Sequence, residues 1–324
     1  MGEIAVVVKE ARQVTPAIRE LVLASAGGAG LPAWEPGAHI EIDVTLAGGA
    51  VEHRAYCLVG GTETADDPPD AYRIAVERQP ESRGGSRFLC DAVEIGAALS
   101  ISQPRNEFPI HFHQADRVLV AGGIGVVPIY AMARVLARRA VPFQLHYAGP
   151  AAADMAYRDE LARLAGDSAH FHYDGGRVDL DPVFAALGYP AEIYLCGQRP
   201  FNKALAASAM EHGLSRMQIL QCCFDPPLPP PPSDNIGFEV ELRNSGITAH
   251  VPPDASILET LLSVGYQAQF YCGRGECGFC PLPVLESDGT IEHRDHYLQP
   301  EEKDEQMCIC VSRLKNGTKL VLDA

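Results

Sequence analysis

Cys272-Gly-Arg-Gly-Glu-Cys277-Gly-Phe-Cys280 gathers three thiols in one short loop, and Cys308 and Cys310 follow downstream. The spacing C-x4-C-x2-C with a distant fourth cysteine is that of plant-type [2Fe–2S] ligation. Three thiolates must wrap one end and edge of a small, rigid, anionic cluster, so the loop has to curl around it. Gly273, Gly275 and Gly278 allow that tight backbone and leave amide N–H groups free to point at sulfur. Two other readings compete. A four-thiolate zinc site usually shows two short C-x2–4-C hooks, and Cys308-x-Cys310 is too tight for the second. Buried free thiols at this spacing would be an accident.

Upstream of the loop, Gly237–Arg243 and Gly246–Val251 alternate as a hairpin does, and Ala255–Gly265 reads as a short helix. Before them lies Asp225–Asp234, DPPLPPPPSD. Proline at that density fixes φ and removes donors, giving a stiff extended spacer. Further back the texture is α/β. Arg117–Ala121 is a buried apolar strand, Gly122–Gly125 a glycine turn, and Pro128–Arg139 a helix. A strand at Pro142–Tyr147, a helix near Tyr157–Ala165, a strand at Glu192–Cys196 and a helix near Pro200–His212 follow. Such alternation implies a parallel sheet with both faces covered. The first third is short and strand-like: Ile4–Val8, Ile18–Leu23, His39–Val44 and Tyr72–Val76, with Gly27-Gly28, Gly48-Gly49 and Gly60-Gly61 between them. That pattern suggests a small antiparallel barrel or sandwich. The boundaries expected are 1–113, 114–224, a linker at 225–236, and 237–324.

At 324 residues the chain is long for one core, and 47% apolar content excludes disorder of the whole. A formal charge of −16 argues against a nucleic-acid partner, whose phosphates call for Lys and Arg. It suits a redox protein that docks a basic face, and equally a chain kept soluble by charge. No apolar stretch is long enough to span a bilayer, and Met1–Lys9 reads as a strand, not a leader. The expectation is a cytoplasmic protein without membrane contact. There, ten cysteines point to metal ahead of disulfides.

Two further segments bear on chemistry. Gly122-Gly-Ile-Gly-Val-Val-Pro128 follows a strand and opens a helix, where backbone amides can approach a pyrophosphate. A plain strand-to-helix turn would read the same way. Arg54-Ala-Tyr-Cys57 and Arg83-Gly-Gly-Ser-Arg87 are the second case. Arg54 can fork onto a phosphate, Tyr56 can offer ring and hydroxyl to a flavin, and Gly84, Gly85 and Ser86 can cradle phosphate. Taken alone, Arg54 fits a surface ion pair and Tyr56 a core aromatic equally well.

The cysteine loop, with Cys310 directly before Val311-Ser312-Arg313 and with Gly289-Thr-Ile-Glu-His-Arg-Asp295 between, resembles the phthalate dioxygenase reductase family. That family includes vanillate demethylase and carnitine monooxygenase reductases, within the ferredoxin–NADP reductase superfamily. The resemblance covers the whole chain in the same domain order. It implies an antiparallel β-barrel binding FMN, an α/β nicotinamide domain and a β-grasp [2Fe–2S] ferredoxin domain. It chooses Cys310 over Cys308 as fourth ligand beside Cys272, Cys277 and Cys280. It assigns Gly122, Gly123, Ile124, Gly125, Val126 and Pro128 to the pyrophosphate turn, and Cys196–Gly197 of Leu195-Cys-Gly-Gln-Arg-Pro200 to the nicotinamide. Arg54, Ala55, Tyr56, Cys57, Ala75, Val76, Gly84, Gly85, Ser86 and Arg87 form the flavin set it implies.

Three departures from the family pattern stand out. Cys57 occupies the place where Ser or Thr usually hydrogen-bonds flavin N5, and a thiol is a weaker donor. Ser82 replaces a usual glycine. Gln221-Cys-Cys-Phe224 keeps an aromatic and loses an acid, leaving Phe224 either a flavin cover or a core residue. Cys57, Cys196 and Phe224 are the residues nearest the expected chemistry. Tyr147-Ala-Gly-Pro150 offers no cation for a 2′-phosphate, with Arg158 not far along, so NADH is expected over NADPH.

Cys90, Cys222, Cys223 and Cys308 read as ordinary thiols. His111 and His113 alternate at a domain edge, where they could bind metal, although solvated histidines are commoner. His293 and His296 suit structural hydrogen bonding, and Glu301–Glu305 a solvated helix face. The function expected is an NADH-dependent reductase component of a multicomponent oxygenase of Rieske type, relaying electrons through FMN and the cluster to a terminal oxygenase. A haem (cytochrome P450) monooxygenase partner, a stand-alone quinone or ferric reductase, and a redox-sensing regulator are the alternatives.

Overall fold

The computed structural model describes residues 3–28, 30–46, 48–60, 69–80, 84–173, 178–224, 234–270 and 272–324. The proline run at 225–233, together with Gly61, Ser82 and Arg83, lies outside the described residues. The chain divides into two compact units, Met1–Phe224 and Asp225–Ala324.

The first unit opens with a curled antiparallel sheet. Its strands are β1 (Ile4–Gln13), β2 (Ile18–Ser25), β3 (Ala38–Thr45), β4 (Val51–Cys57), β5 (Ala71–Glu77), β6 (Ala98–Ile101) and the short β7 (Arg105–Asn106). The order is β4-β3-β6-β1-β2-β5, with β7 beside β3. A bridge between Leu58 and Ile74 joins the two ends and closes the sheet as a barrel. Strict alternation explains the curl's inside: Ala38, Ile40, Ile42 and Val44 of β3 are buried while their neighbours are not. A single turn, α1 (Gly85–Arg87), caps this part.

A five-stranded parallel sheet follows, ordered β10-β9-β8-β11-β12. It comprises β8 (Asp116–Gly122), β9 (Gln144–Ala148), β10 (Ala169–His172), β11 (Ala191–Cys196) and β12 (Ile219–Cys222). All six residues of β11 are buried, as a central parallel strand covered on both faces requires. One face packs on α2 (Val126–Arg138), whose sequence carries no charge before Arg134. Ile129 there is fully buried, a burial worth about 1.5–3 kcal/mol. The helix α3 (Arg158–Ala165) packs on the same side. The other face is covered by α4 (Asp181–Ala186) and α5 (Arg199–Glu211). The expected helices and strands are present with ends moved by one or two residues. The strands β10 and β12 and the helix α4 are additions, too short or too mixed in polarity to announce themselves.

Barrel and parallel sheet share a core, in which Cys57, Val59 and Ala75 meet Val127, Tyr130 and Cys196. A buried carboxylate also ties them. Glu20 of β2 accepts from Arg12 Nε at 2.7 Å and from the Tyr157 hydroxyl at 2.7 Å, and Tyr157 stacks on Tyr130 at 4.7 Å. Burial alone would raise the Glu20 carboxyl, but these donors and the charge of Arg73 hold it below its ordinary value.

The second unit is a β-grasp. Strands β13 (Phe238–Leu242) and β14 (Ile247–Val251) form the hairpin, and β13 runs parallel to the C-terminal strand β19 (Lys319–Leu322). The sheet order is β14-β13-β19-β15-β17, with β15 (Pro281–Ser287) and β17 (Gln306–Cys308); β16 (Thr290–Glu292) and β18 (Arg313–Lys315) pair separately. The helix α6 (Ile257–Ser263) starts at a capping box, the Glu259 amide donating to Ser256 Oγ at 3.0 Å and the Ser256 amide to Glu259 Oε2 at 2.8 Å. The acidic run Glu301–Glu305 expected as a solvated helix face carries one 3-10 helical turn at Glu302–Asp304, with no residue buried.

Candidate functional site

The cysteine loop lies between α6 and β15, and its sulfurs stand in two pairs. Cys272 and Cys277 share a sulfur hydrogen bond. The amide of Cys272 points at Cys277 Sγ and that of Arg274 at Cys272 Sγ, each at 3.3 Å. Cys280 Sγ and Cys310 Sγ lie 3.1 Å apart. Two pairs suit two irons with two thiolates each, whereas one tetrahedral ion would draw all four sulfurs to a single point. The Cys277 hydrogen bond, against burial, and then the amides of Arg274, Glu276 and Cys277 bring the Cys272 thiol down to about 6. Cys280 is brought down to about 4 by the thiols of Cys308 and Cys310, which are themselves pushed up. The residues therefore fit the cluster: thiols paired closely enough to serve two irons and amides aimed at sulfur.

Cys308 acts on Cys280 at least as strongly as Cys310 does, so that contact does not choose Cys310 as the ligand. Their surroundings do. Cys310 sits in a turn, senses the Cys272 sulfur and receives a hydrogen bond from the Gly275 backbone. Cys308 is fully buried in β17, opposite Pro281 of β15.

The loop is braced by the segment 289–297. A side chain on Gly278, at φ +74°, would overlap the Tyr297 ring. One on Gly275 would fall 2.9 Å from Asp295 Cα, and the His296 amide donates to the Gly275 carbonyl at 3.0 Å. Asp295 is buried, accepting from the Leu298 amide at 2.8 Å and Ser312 Oγ at 3.2 Å. Sequence reasoning missed Asp295, Tyr297 and Ser312 as individuals. The structural hydrogen bonding expected of His293 and His296 is present: the His293 ring bonds to the Lys303 backbone and pairs with Asp295, whose Oδ1 lies 3.7 Å from its Nδ1, and the His296 amide holds the Gly275 carbonyl.

In the first unit, the glycine turn and the Cys196–Gly197 segment are in contact at the C-terminal ends of β8 and β11. A side chain on Gly125 would overlap the Cys196 carbonyl and come within 2.9 Å of Gly197 N. Gly122 and Gly197 face the Phe201 ring, their added Cβ atoms falling 3.0 and 2.8 Å from it. Gly123 and Ile124 form the turn, and Val126 and Pro128 are buried in the first turn of α2. Burial first, then the Cys222 thiol, hold Cys196 protonated, with Cys57 and Cys223 within electrostatic reach. Cys222 and Cys223 thus belong to a thiol group around Cys196, which their sequence did not reveal. The Asn202 amide, also unforeseen, donates to the Cys222 carbonyl at 2.8 Å and leaves Oδ1 buried without a partner.

On the barrel, Arg54 lies across Gly85, where an added Cβ would come within 2.8 Å of Arg54 Cγ. Its guanidinium donates to Glu52 and, at 2.9 Å, to the His53 carbonyl. Tyr56 is half-buried, and burial raises its hydroxyl to about 12. Ala55 and Arg87 are exposed; Ala75 and Val76 are buried on β5. Ser86 Oγ accepts from the Gln79 amide at 3.3 Å. Cys57 is buried. Phe224 is 40% exposed, which removes the core reading for it. Arg158 lies over Phe171 at 5.3 Å and pairs with Asp159 at 3.7 Å. None of the ten cysteines forms a disulfide.

Comparison with known proteins agrees with these features. A family model described as a 2Fe-2S iron-sulfur cluster binding domain matches residues 240–315. The chain is 36% identical over 315 residues to the haem-dependent oxidative N-demethylase beta subunit of Ectopseudomonas mendocina, covering 96% of each chain. It is 35% identical over 329 residues to the toluene-4-sulfonate monooxygenase system reductase subunit of Comamonas testosteroni, covering 99% of each. Among solved structures, phthalate dioxygenase reductase, described as a modular structure for electron transfer from pyridine nucleotides to [2Fe–2S], superimposes with a TM-score of 0.64 at 30% identity over 100% of this chain and 98% of that one. An intact type IV self-sufficient cytochrome P450 monooxygenase matches at 33% identity and a TM-score of 0.69; it covers 99% of this chain, which spans 41% of the larger protein. No helix among the described residues is long and apolar enough to cross a membrane. Matched from end to end by such relatives, the chain is an oxidoreductase that belongs to the phthalate dioxygenase reductase family.

Proposed function

We propose that this chain is the NADH-dependent reductase component of a multicomponent oxygenase, of Rieske type, working in the cytoplasm. Its parts are an FMN-binding barrel at 1–113, a nicotinamide domain at 114–224, a linker at 225–236 and a [2Fe–2S] domain at 237–324. The observation that carries the reading is the arrangement of four thiols as two pairs on a chain that also joins Cys57 to Cys196 in one core. When bound, FMN takes a hydride from NADH as two electrons and the cluster passes them on one at a time.

The chain's residues bind and orient. The side-chain-free face at Gly122–Gly125 leaves amides at the start of α2 open to the pyrophosphate. Cys196 and Gly197, backed by Phe201, form a flat surface for the nicotinamide. Cys57 presents its thiol toward flavin N5. Arg54, now on half-exposed Glu52, would hold the FMN phosphate together with the amides of Gly84–Ser86. Ala55, Tyr56, Ala75 and Val76 would line the isoalloxazine, Arg87 would add charge at the rim, and Phe224 would cover the flavin and exclude water. Cys272, Cys277, Cys280 and Cys310 hold the irons. NADH is preferred because Ala148 and Gly149 offer no cation and Arg158 is engaged by Phe171 and Asp159. A charge of −16 favours a partner with a basic face.

A second reading, a haem monooxygenase as electron acceptor, is favoured by the likeness to the haem-dependent demethylase subunit and to the self-sufficient P450. Purified chain, NADH and either a Rieske oxygenase or a haem monooxygenase from the same genome decide between them. Substrate turnover coupled to NADH oxidation with one acceptor and not the other identifies the partner. Rates with quinones or ferric chelates that match or exceed both would overturn the proposal.

A further inference from the structure

At the other end of the parallel sheet from Cys196, three ligand groups meet. Glu192 is the second residue of β11, roughly 13 Å along the strand from Cys196 at about 3.3 Å per residue. His111 and His113 lie in the segment between β7 and β8. His111 Nδ1 is 2.7 Å from Glu192 Oε1, and His113 Nε2 is 3.5 Å from the same oxygen. Their ligand atoms all fall within 4.8 Å of one another, the one such group of three among the described residues. Donors bound at about 2.0–2.1 Å in a tetrahedron stand about 3.3 Å apart, and the two measured separations bracket that value.

The groups around the trio hold it in place. Arg117, itself buried, donates to the His111 carbonyl through Nε at 3.1 Å and Nη2 at 2.9 Å, and also to the His113 carbonyl. The Tyr194 hydroxyl donates to Glu192 Oε2 at 2.8 Å and accepts from the His111 amide at 3.0 Å. Glu192 therefore keeps Oε1 facing the imidazoles while Oε2 is held from behind. Such outer contacts orient the ligands of built metal sites. The two imidazoles are 44% and 54% exposed, which gives an ion an entry path and leaves room for water as a fourth ligand.

We infer that His111, His113 and Glu192 bind one divalent transition-metal ion of the zinc class, apart from the iron of the second unit. The ion takes the place of the hydrogen bond between His111 Nδ1 and Glu192 Oε1, the neutral ring carrying its one N–H on Nε2, and binding weakens as pH falls because a protonated imidazole cannot ligate. Its effect is structural: it fixes the segment entering β8 to the start of β11. Bound imidazole and carboxylate, with no thiolate, give the site borderline rather than soft character.

The test is calorimetric titration of the intact flavin- and cluster-loaded protein with ZnCl2 at pH 7.5 and pH 6. The wild-type chain is expected to bind one Zn2+ more than the double variant His111→Ala/His113→Ala. Binding at that site should weaken at least tenfold at pH 6, and added Zn2+ should raise the unfolding temperature of the wild type alone. The single variant His113→Ala, with NADH oxidation retained as evidence of folding, should bind at least tenfold more weakly. Equal stoichiometry and affinity in wild type and double variant would overturn the inference, leaving the three residues as an ion pair only.

Discussion

Gly125 and Cys196 are separated by much of the parallel sheet in sequence, yet no side chain fits between them, because the Cys196 carbonyl occupies the place of a Cβ on Gly125. Backbone meets backbone there, and the proposed nicotinamide surface depends on that approach. Gly125→Ala should destabilise the fold by about 1–3 kcal/mol, the usual cost of forcing atoms into a packed site. It should also raise the Kd for NADH at least tenfold. Thermal unfolding and NADH titration of the variant check both; unchanged NADH affinity would separate the turn from the cofactor.

Cys310 and Cys308 both reach Cys280, but only Cys310 faces the Cys272 loop. Cys310→Ser is expected to lose most of the bound iron and the visible absorption of the cluster. Cys308→Ser should retain both, at some cost in stability from a hydroxyl placed in a fully buried position. Iron and sulfide analysis of the two proteins, prepared side by side, gives the answer.

Cys57 is expected to limit hydride transfer. A hydroxyl is a better donor than a thiol, so Cys57→Ser should match or exceed the native rate. Cys57→Ala should fall about tenfold, the kinetic equivalent of one lost hydrogen bond of about 1.4 kcal/mol. Stopped-flow flavin bleaching under anaerobic NADH reads the step alone.

His146 makes stability depend on pH. It stacks on His170 at 4.7 Å and on His172 at 5.5 Å, and its Nε2 is buried without a partner. Burial, then the two neighbouring imidazoles, bring it down from 6.5 to about 4. The unfolded chain binds this proton near pH 6.5 and the folded chain only near pH 4. Stability is therefore complete above pH 6.5 and declines as pH falls toward 4, by at most about 1.4 kcal/mol per pH unit. His146→Leu should flatten the fall in unfolding temperature between pH 7 and pH 5 relative to wild type.

The cysteine loop was legible in the sequence because its ligands are local: three of four lie in one curl, and their spacing follows from the size of the group they grip. The α/β alternation was legible for the same reason, since periodicity is local and α2 and β11 are mostly apolar, with Arg134 and Arg138 late in α2 and Glu192 alone charged in β11. What escaped reading depends on distance along the chain. Glu192 joins His111 only after β8 and β11 pair. Cys222 reaches Cys196 because β12 aligns with β11 residue for residue. Asp295 and Tyr297 buttress Gly275 and Gly278 from a separate segment. Neither side of such a contact carries a pattern of its own. Strand β15 has no fully buried position, and β16, β17 and β18 are three residues each, too short for alternation to show.

The most direct test is an anaerobic titration of the purified protein with NADH, followed by visible absorption and electron paramagnetic resonance. The chain should take up three electrons, two on flavin and one on the cluster, or about 1.5 NADH per chain, with the signal of a reduced [2Fe–2S] centre at the end. A flavin that bleaches with one NADH while no such signal develops, or four thiols occupied by zinc, would contradict the account.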